Sequence, residues 1–583
     1  MADDKEGFHK QASRLFLGVF LFVLLCVPRL FSLDAHWSSD EARWLRRSTD
    51  FIFAVRAGEF DQTLIAYHPG VMTMWVGGLR AFLLDTAEQV SIKQLVFARW
   101  FIGTAVLIGL LEAFFLLHRL FGLWSSVISF TFLASSPLFL AQSRRVHTDA
   151  LAAVFCLLAV LLFLLYCDIA QKRRYLIGSG IAFGLACLSK SYSLVLLLWV
   201  PVCLLLFRAR DGTWRQFFFD ALVSVLCFLS CGLLTVIGLW PIFWTPAFGL
   251  LGLCLLGTTT VLFGTSQAEK HNLPAAGSSL RCLRLLSSMV VLLVISGYAI
   301  QTVWTVFDRV GAAVTTPHEV EHFFQGKVTN DPGWLFYPFV LSIKSAPFTL
   351  PLTLGGYLFL WKQRHRKQYA RQFQVVLALA CVVVLFTLCL SLTAKKFSRY
   401  LLPAFPILDV LAGVGLFCLV RQIGQRVRPA WGGLRRACQV ACVVLVLGLT
   451  AIPVFALHPY YGTYYNLFWK VTDITKIITM GDASGLDLAA TYLNQKPGAK
   501  NMTVQVSPLA GEFFSYYFIG RAYSNDRIKL KADYEVVYIR DSQVGRVPQT
   551  GKRNGTLEYV ITLNGIDHVW IYRLKDSKSQ SGD

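Results

Sequence analysis

Windows of about 20 consecutive apolar residues, enough to cross a bilayer core, recur along this chain from near its start to about Leu457. No ordinary soluble domain can bury so many stretches of that length. The composition agrees, with 55% of the 583 residues hydrophobic and a mean hydropathy of +0.54. The fold class is therefore a polytopic α-helical membrane protein.

The apolar stretches read as spans over roughly 15–33, 95–117, 123–142, 148–167, 175–189, 192–207, 217–240, 247–266, 285–305, 337–361, 373–392, 399–420 and 437–457, thirteen in all. The first is too long for a signal-peptide core and lacks a small-residue cleavage site, so it is expected to be retained. The net charge of +21 is gathered in seven short basic clusters between spans, from Lys5/Lys10/Arg14 to Arg421/Arg426/Arg428/Arg435/Arg436. With a cytoplasmic N-terminus all seven fall inside, the pattern of membrane topology and not of nucleic-acid binding. An odd span count then leaves the C-terminus outside. The 14 cysteines all lie between Cys26 and Cys442, with no CxxC pair and no metal-ligand spacing, so they read as small core residues.

The outer side carries two long loops, 34–94 and 306–336. Segment 72–84 of the first is weakly apolar and is expected to lie in the interface, with Trp75 at headgroup depth. The short outer loops hold charges the positive-inside rule does not require: Arg144-Arg145 with Asp149, Lys190, and Lys395-Lys396 with Arg399. Charge at span ends marks a polar cavity or a ligand. From His458 onward the sequence turns soluble in character. It suggests a helix over 484–496 and strands over 502–506, 534–540, 557–563 and 567–574. Two domains are expected: a membrane domain, 1–457, and a small α/β extracytoplasmic domain, 458–583, that shapes the acceptor entrance. No P-loop, Rossmann glycine fingerprint or HExxH is present.

Asp40-Glu41 follows Ser38-Ser39 just past the first span. Two readings fit: a helix N-cap with a first-turn acid, or a carboxylate at the membrane surface placed to take a proton. Asp149 in RRVHTDAL reads either as another helix start or as part of a polar site with Arg144, Arg145 and His147. Lys190 in LSKSYS and Arg99 in ARWF could simply snorkel. AKKFSRYLLP, 394–403, is the most specific basic motif, because Lys395, Lys396, Arg399 and Tyr400 together suit a phosphate anion.

SDEARW, RVHTDAL, LSKSYS, WPIFWTP, EHFFQGKVTNDPGWLFYP, AKKFSRYLLPAFP and HPYYGTYYN, in that order, resemble the GT-C membrane glycosyltransferases, in the branch of the protein O-mannosyltransferases and the lipid A aminoarabinose transferase. The resemblance implies an inverting transfer, at the outer face, of a sugar from a polyprenyl-phosphate donor to a lipid, glycan or protein acceptor. It implies Asp40 as general base, Glu41 assisting it, and Asp149 as the second-loop acid. Arg99, Lys190, Lys395, Lys396, Arg399 and Tyr400 would bind the lipid phosphate, and His322 and Tyr337 would lie in a covering loop. Where relatives have Lys-Pro-Pro, this chain has His68-Pro69-Gly70, so His68 takes the place of a phosphate-binding lysine. The reading needs no obligatory cofactor and no metal ligand set, although a divalent cation could sit between acids and phosphate. The partners are the lipid-linked sugar, its acceptor and the bilayer, with no nucleic acid, and the location is the bacterial inner membrane. The alternatives are a multi-span transporter or lipid flippase, which would place its charges at mid-span, and a non-catalytic subunit.

Overall fold

The computed structural model describes residues 18–38, 40–66, 69–84, 91–170, 172–208, 213–244, 248, 257, 304–306, 308, 311, 321–393, 395–426, 432–469, 472–524, 532–546 and 555–574. His68, the C-terminal tail, and nearly all of the expected spans 247–266 and 285–305 lie outside the described residues.

The protein is mostly helical. Among the described residues six helices are long and apolar enough to cross a membrane, or seven if one bent pair counts as a single span. Ile92–Phe121, Thr148–Leu165, Trp214–Leu239, Lys367–Ser391, Ala404–Arg426 and Gly432–Ala456 match expected spans in place. The first expected span appears as a shorter apolar helix, Gly18–Leu30.

Two expected spans are not simple rods, and each interruption has a cause, while a third break falls at Lys190, between two expected spans. The stretch 123–142 is Leu123–Ser135 followed by Pro137–Ser143, bent by 63°. Pro137 has no N–H to continue the ladder and forces Ser136 into extended backbone. The stretch 337–361 is likewise two helices, Phe336–Lys344 and Thr349–Gln363, parted at Ser345–Phe348 around Pro347. The carbonyl freed at Ser345 accepts from Tyr464 Oη and Asn466 Nδ2, both at 3.0 Å. Lys190 parts Arg173–Ser189 from the turn Ser191–Val195, in extended backbone that turns its side chain inward.

The helices cross closely where side chains are smallest. A Cβ on Gly356 would meet Gly415 Cα at 2.5 Å, and one on Gly415 would meet Leu352 O at 2.0 Å. Only glycine permits that approach between Thr349–Gln363 and Ala404–Arg426. Loop 34–94 is largely helical, with Glu41–Ala57, Val71–Gly77 and Leu79–Leu84. Trp75 packs edge-on against Phe51 and donates its indole N–H to Leu239 O at 2.8 Å, so protein groups already hold it.

Strands β1 His322–Phe324 and β2 Lys327–Thr329 pair as a short antiparallel hairpin. The C-terminal region holds a five-stranded mixed sheet, β3 Thr503–Val506, β4 Arg521–Tyr523, β5 Tyr534–Tyr538, β6 Gly555–Leu563 and β7 Ile566–Leu574, in the order β4-β3-β5-β7-β6. β3 runs parallel to β4 and β5, and β7 runs antiparallel to β5 and β6. Asn564-Gly565, both at positive φ, turn the β6–β7 hairpin. The four expected strands are present; β4 was not expected, since three residues carry no alternation to read. Helix Leu486–Asn494 buries Leu486, Ala489, Ala490 and Leu493 in the same apolar core as Val504, Val569 and Ile571. That core is continuous with the helical bundle. Trp37 stacks on Tyr516 at 3.9 Å, and His36 N donates to Asp487 at 3.1 Å, so the sheet region sits firmly on the first loop.

Candidate active site

Asp40 occupies the N-cap position of Glu41–Ala57, yet its side chain caps nothing. Its backbone is already helical, φ −107° and ψ −11°, and its carboxylate points away from the helix amides. Arg399 Nη2 donates to it at 2.9 Å, His147 Nε2 lies 3.6 Å away and Arg43 Nη1 3.7 Å away. Burial alone would raise the Asp40 carboxyl, but Arg399, His147 and Arg43 outweigh it and hold it well below the usual carboxylate range.

Glu41, one residue on, has a different environment. It is fully buried and accepts from Arg99 through both oxygens, from Ser38 N at 2.9 Å and from Val146 N at 2.9 Å. Burial raises its carboxyl, but Arg99 and the two amides bring it down to about 2. Arg99 also donates to the carbonyls of Leu33, Ala35 and His36, at 2.6 to 2.7 Å. All five of its N–H groups are thereby used. The expectation of Arg99 as a phosphate ligand is corrected by this geometry: it has no donor left, and it ties the first loop to its helix.

Loop 144–148 connects three segments. Arg144 donates to Pro28 O and Ser32 O. Arg145 donates to Asp482 at 2.8 Å and lies 2.9 Å from His36 Nε2. Burial first, then Arg145, push His36 down to about 3, so it stays neutral and its Nε2 can accept from Arg145. His147 stands between two acids, with Nδ1 2.7 Å from Asp149 and Nε2 facing Asp40. Asp149, fully buried at the start of Thr148–Leu165, takes Lys190 Nζ at 2.6 Å and Tyr192 Oη at 3.2 Å. Arg399 Nε lies 3.6 Å from Asp149, so one guanidinium is shared by Asp40 and Asp149.

The AKKFSRY segment divides its cations. Lys395 and Arg399 line a cavity, whereas Lys396 is buried with Nζ on Asp331 at 2.7 Å and on Thr393 O at 2.5 Å. Lys396 is therefore corrected from phosphate ligand to loop anchor, because it does not line the cavity and its ammonium is turned to Asp331 and Thr393. Lys190 Nζ stands 4.1 Å over the Tyr400 ring, and the His322 ring meets Phe397 at 5.0 Å.

These groups surround one cavity of about 550 Å³. Of the expected site residues, Asp40, Lys190, His322, Lys395, Arg399 and Tyr400 line it. Glu41, Arg99, Asp149, Tyr337 and Lys396 do not, and Tyr337 is buried within Phe336–Lys344. The wall also includes His147, Arg43, Lys344, Asp482, Glu512 and Arg540, which the sequence reading did not single out as site residues. His147 sat in the flagged RRVHTDAL cluster. Asp482 follows Gly481, a signal that could have drawn notice, whereas nothing in the local pattern marks Lys344, Glu512 or Arg540. Seven Lys or Arg side chains line the cavity against three Asp or Glu, so it favours an anion. Among the described residues no three His, Cys, Asp or Glu groups gather as a metal site.

Residues 79–240 match the family described as dolichyl-phosphate-mannose-protein mannosyltransferase. That segment includes the 144–149 loop and Lys190 but neither Asp40 nor Arg399. The structure of the archaeal oligosaccharyltransferase AglB from Archaeoglobus fulgidus, in complex with an inhibitory peptide and a dolichol-phosphate, superposes with a TM-score of 0.50 at 14% identity, covering 98% of this chain and 75% of that one. The chain shares the fold of that structure. ArnT from Cupriavidus metallidurans bound to undecaprenyl phosphate is similar at a TM-score of 0.41 and 14% identity, covering 97% of this chain and 98% of that one. No curated protein sequence matches the chain. The cavity lies where the helical part meets the C-terminal sheet region, and both supply its wall.

Proposed function

We propose that the chain is an inverting glycosyltransferase that moves a hexose or pentose from a polyprenyl-phosphate donor to an acceptor hydroxyl or amine on the outer face of a membrane. The observation that carries this reading is that Asp40 shares one cavity with Lys395, Arg399, Lys190 and Tyr400. A single displacement needs a base opposite a stabilised leaving phosphate, and those are the two groups gathered there. The acceptor oxygen or nitrogen attacks the anomeric carbon. The bond from that carbon to the phosphate oxygen breaks, its electron pair leaves with the phosphate, and the acceptor proton passes to Asp40.

Arg399 is ion-paired with Asp40, and a carboxylate so paired is a poor base. An arriving phosphate competes for Arg399 and for Lys395. The base is thus freed only when the leaving group is seated, which gives an ordered reaction with donor first. His147, between Asp149 and Asp40, holds Asp40 in place. Glu41 and Arg99 act at one remove by fixing the turn that presents Asp40. The cationic wall supplies the charge the leaving phosphate needs, so this reading makes no metal obligatory. AglB was solved with dolichol-phosphate, a lipid phosphate of the proposed donor class.

The finer topology belongs to the same proposal: thirteen spans, a cytoplasmic N-terminus, residues 458–583 as an extracytoplasmic domain, and a bacterial inner membrane with the cavity facing the periplasm. The deciding experiment supplies purified chain in lipid nanodiscs with polyprenyl-phosphate-linked sugars. The wild type should consume donor, and Asp40→Asn should fall by about 10²–10⁴ in turnover while melting normally. Wild-type turnover by Asp40→Asn refutes the assignment of the base.

A further inference from the structure

We infer that Asp482 is the acceptor-positioning residue of this cavity, accepting a hydrogen bond from an O–H or N–H of the acceptor molecule. The inference rests on the glycosyltransferase reading and adds to it the side from which the acceptor is held.

Four observations point there. Asp482 lines the cavity from the C-terminal region and stays 31% exposed although it is ion-paired. Arg145 Nη1 fixes one oxygen, Oδ2, at 2.8 Å, while Arg145 itself is braced by His36. A carboxylate held by one oxygen keeps the other for a ligand. The backbone is left-handed at Asp482, φ +94°, and again at Ala483, φ +63°. A turn that needed only this conformation would be unstrained with glycine, so an aspartate there calls for a use of its side chain.

The fourth observation is how charge divides. Lys190, Lys395 and Arg399 come from the helical part, whereas two of the three acids on the wall, Asp482 and Glu512, come from the sheet region, beside Arg540. Arg399 is close enough to both Asp40 and Asp482 for their charges to act on it. The donor phosphate therefore belongs to the helical side and the acceptor to the sheet side. Burial would raise the Asp482 carboxyl, but Arg145 and Arg399 keep it well below the usual range. An ionised carboxylate accepts hydrogen bonds only, so it selects hydroxyl and amine hydrogens.

The test uses Asp482→Gly, which suits the left-handed backbone, and Asp482→Asn, which keeps size and one acceptor oxygen. Full-length protein in nanodiscs is given mannosyl undecaprenyl phosphate as donor, with octyl α-mannoside and octyl glucosaminide as acceptor probes. Asp482→Gly relieves the backbone but unpairs the buried Arg145, so both variants should melt below the wild type, and both are assayed at a temperature where each is folded. Both variants should raise the acceptor KM tenfold or more and leave the donor KM within twofold. An unchanged acceptor KM overturns the inference, as does a parallel rise in donor KM. A wild-type protein that consumes no donor overturns the glycosyltransferase reading itself, a result distinguishable from the others.

Discussion

Asp40 and Glu41 are neighbours in sequence and stand in two different regions. Glu41 sits in a sealed clamp, where every donor of Arg99 and both carboxylate oxygens are matched. Asp40 sits on an open chamber and shares Arg399 with Asp149. The same chemical group with the same kind of partner serves as structure when fully satisfied and as a reactive site when its partner can be drawn away. What separates the two is access by a competing anion, since both carboxylates are held low.

The contrast can be broken most sharply at the clamp. Glu41→Gln strands the Arg99 charge in a dry site and should cost about 3–5 kcal/mol of stability, read as a large fall in melting temperature. Protein that survives should lose far less turnover than Asp40→Asn, about tenfold, through looser presentation of Asp40. Normal melting with lost turnover would reverse the two roles.

The acid limb sharpens the same point. Glu41 is lowered from its usual 4.5 to about 2, so its stabilisation is present above pH 4.5 and is lost as pH falls toward 2. That depression is worth about 3 kcal/mol at neutral pH. Melting of the wild type should drop across this window, and Glu41→Gln should show a flatter acid limb.

A second pair repeats the contrast in cations. Lys395→Met should raise donor KM about tenfold, an effect that weakens in high salt, because its charge faces the cavity. Lys396→Met, whose ammonium is matched by Asp331, should instead cost about 1 kcal/mol of stability with donor KM nearly unchanged. Smallest of all, His147→Gln should reduce turnover by about threefold through looser placement of Asp40. A loss as large as that of Asp40→Asn would give His147 a direct part in proton transfer.

Much of the fold was legible, for reasons visible in particular residues. Long apolar runs such as 148–167 and 373–392 leave little choice but a helix. The breaks were legible too, at Pro137 and Pro347, but hydropathy windows average over a proline and joined the halves. The charged motifs gave the positions of Asp40, Lys190, Lys395 and Arg399, all on the cavity wall. Sequence could not say which neighbour faces in, because the difference between Asp40 and Glu41, or Lys395 and Lys396, is one of direction at a turn. Nor could it bring Asp482 to Arg145, 337 positions away, since that contact depends on how the sheet region docks.

The central claim is that a carrier phosphate enters this chamber and takes Arg399 from Asp40. A structure of the full chain with undecaprenyl phosphate bound tests it directly. The phosphate should lie within hydrogen-bonding reach of Lys395 and Arg399, with the contact from Arg399 to Asp40 lengthened from 2.9 Å. A phosphate seated away from this cavity, or bound within it while Arg399 keeps its contact with Asp40, would contradict it.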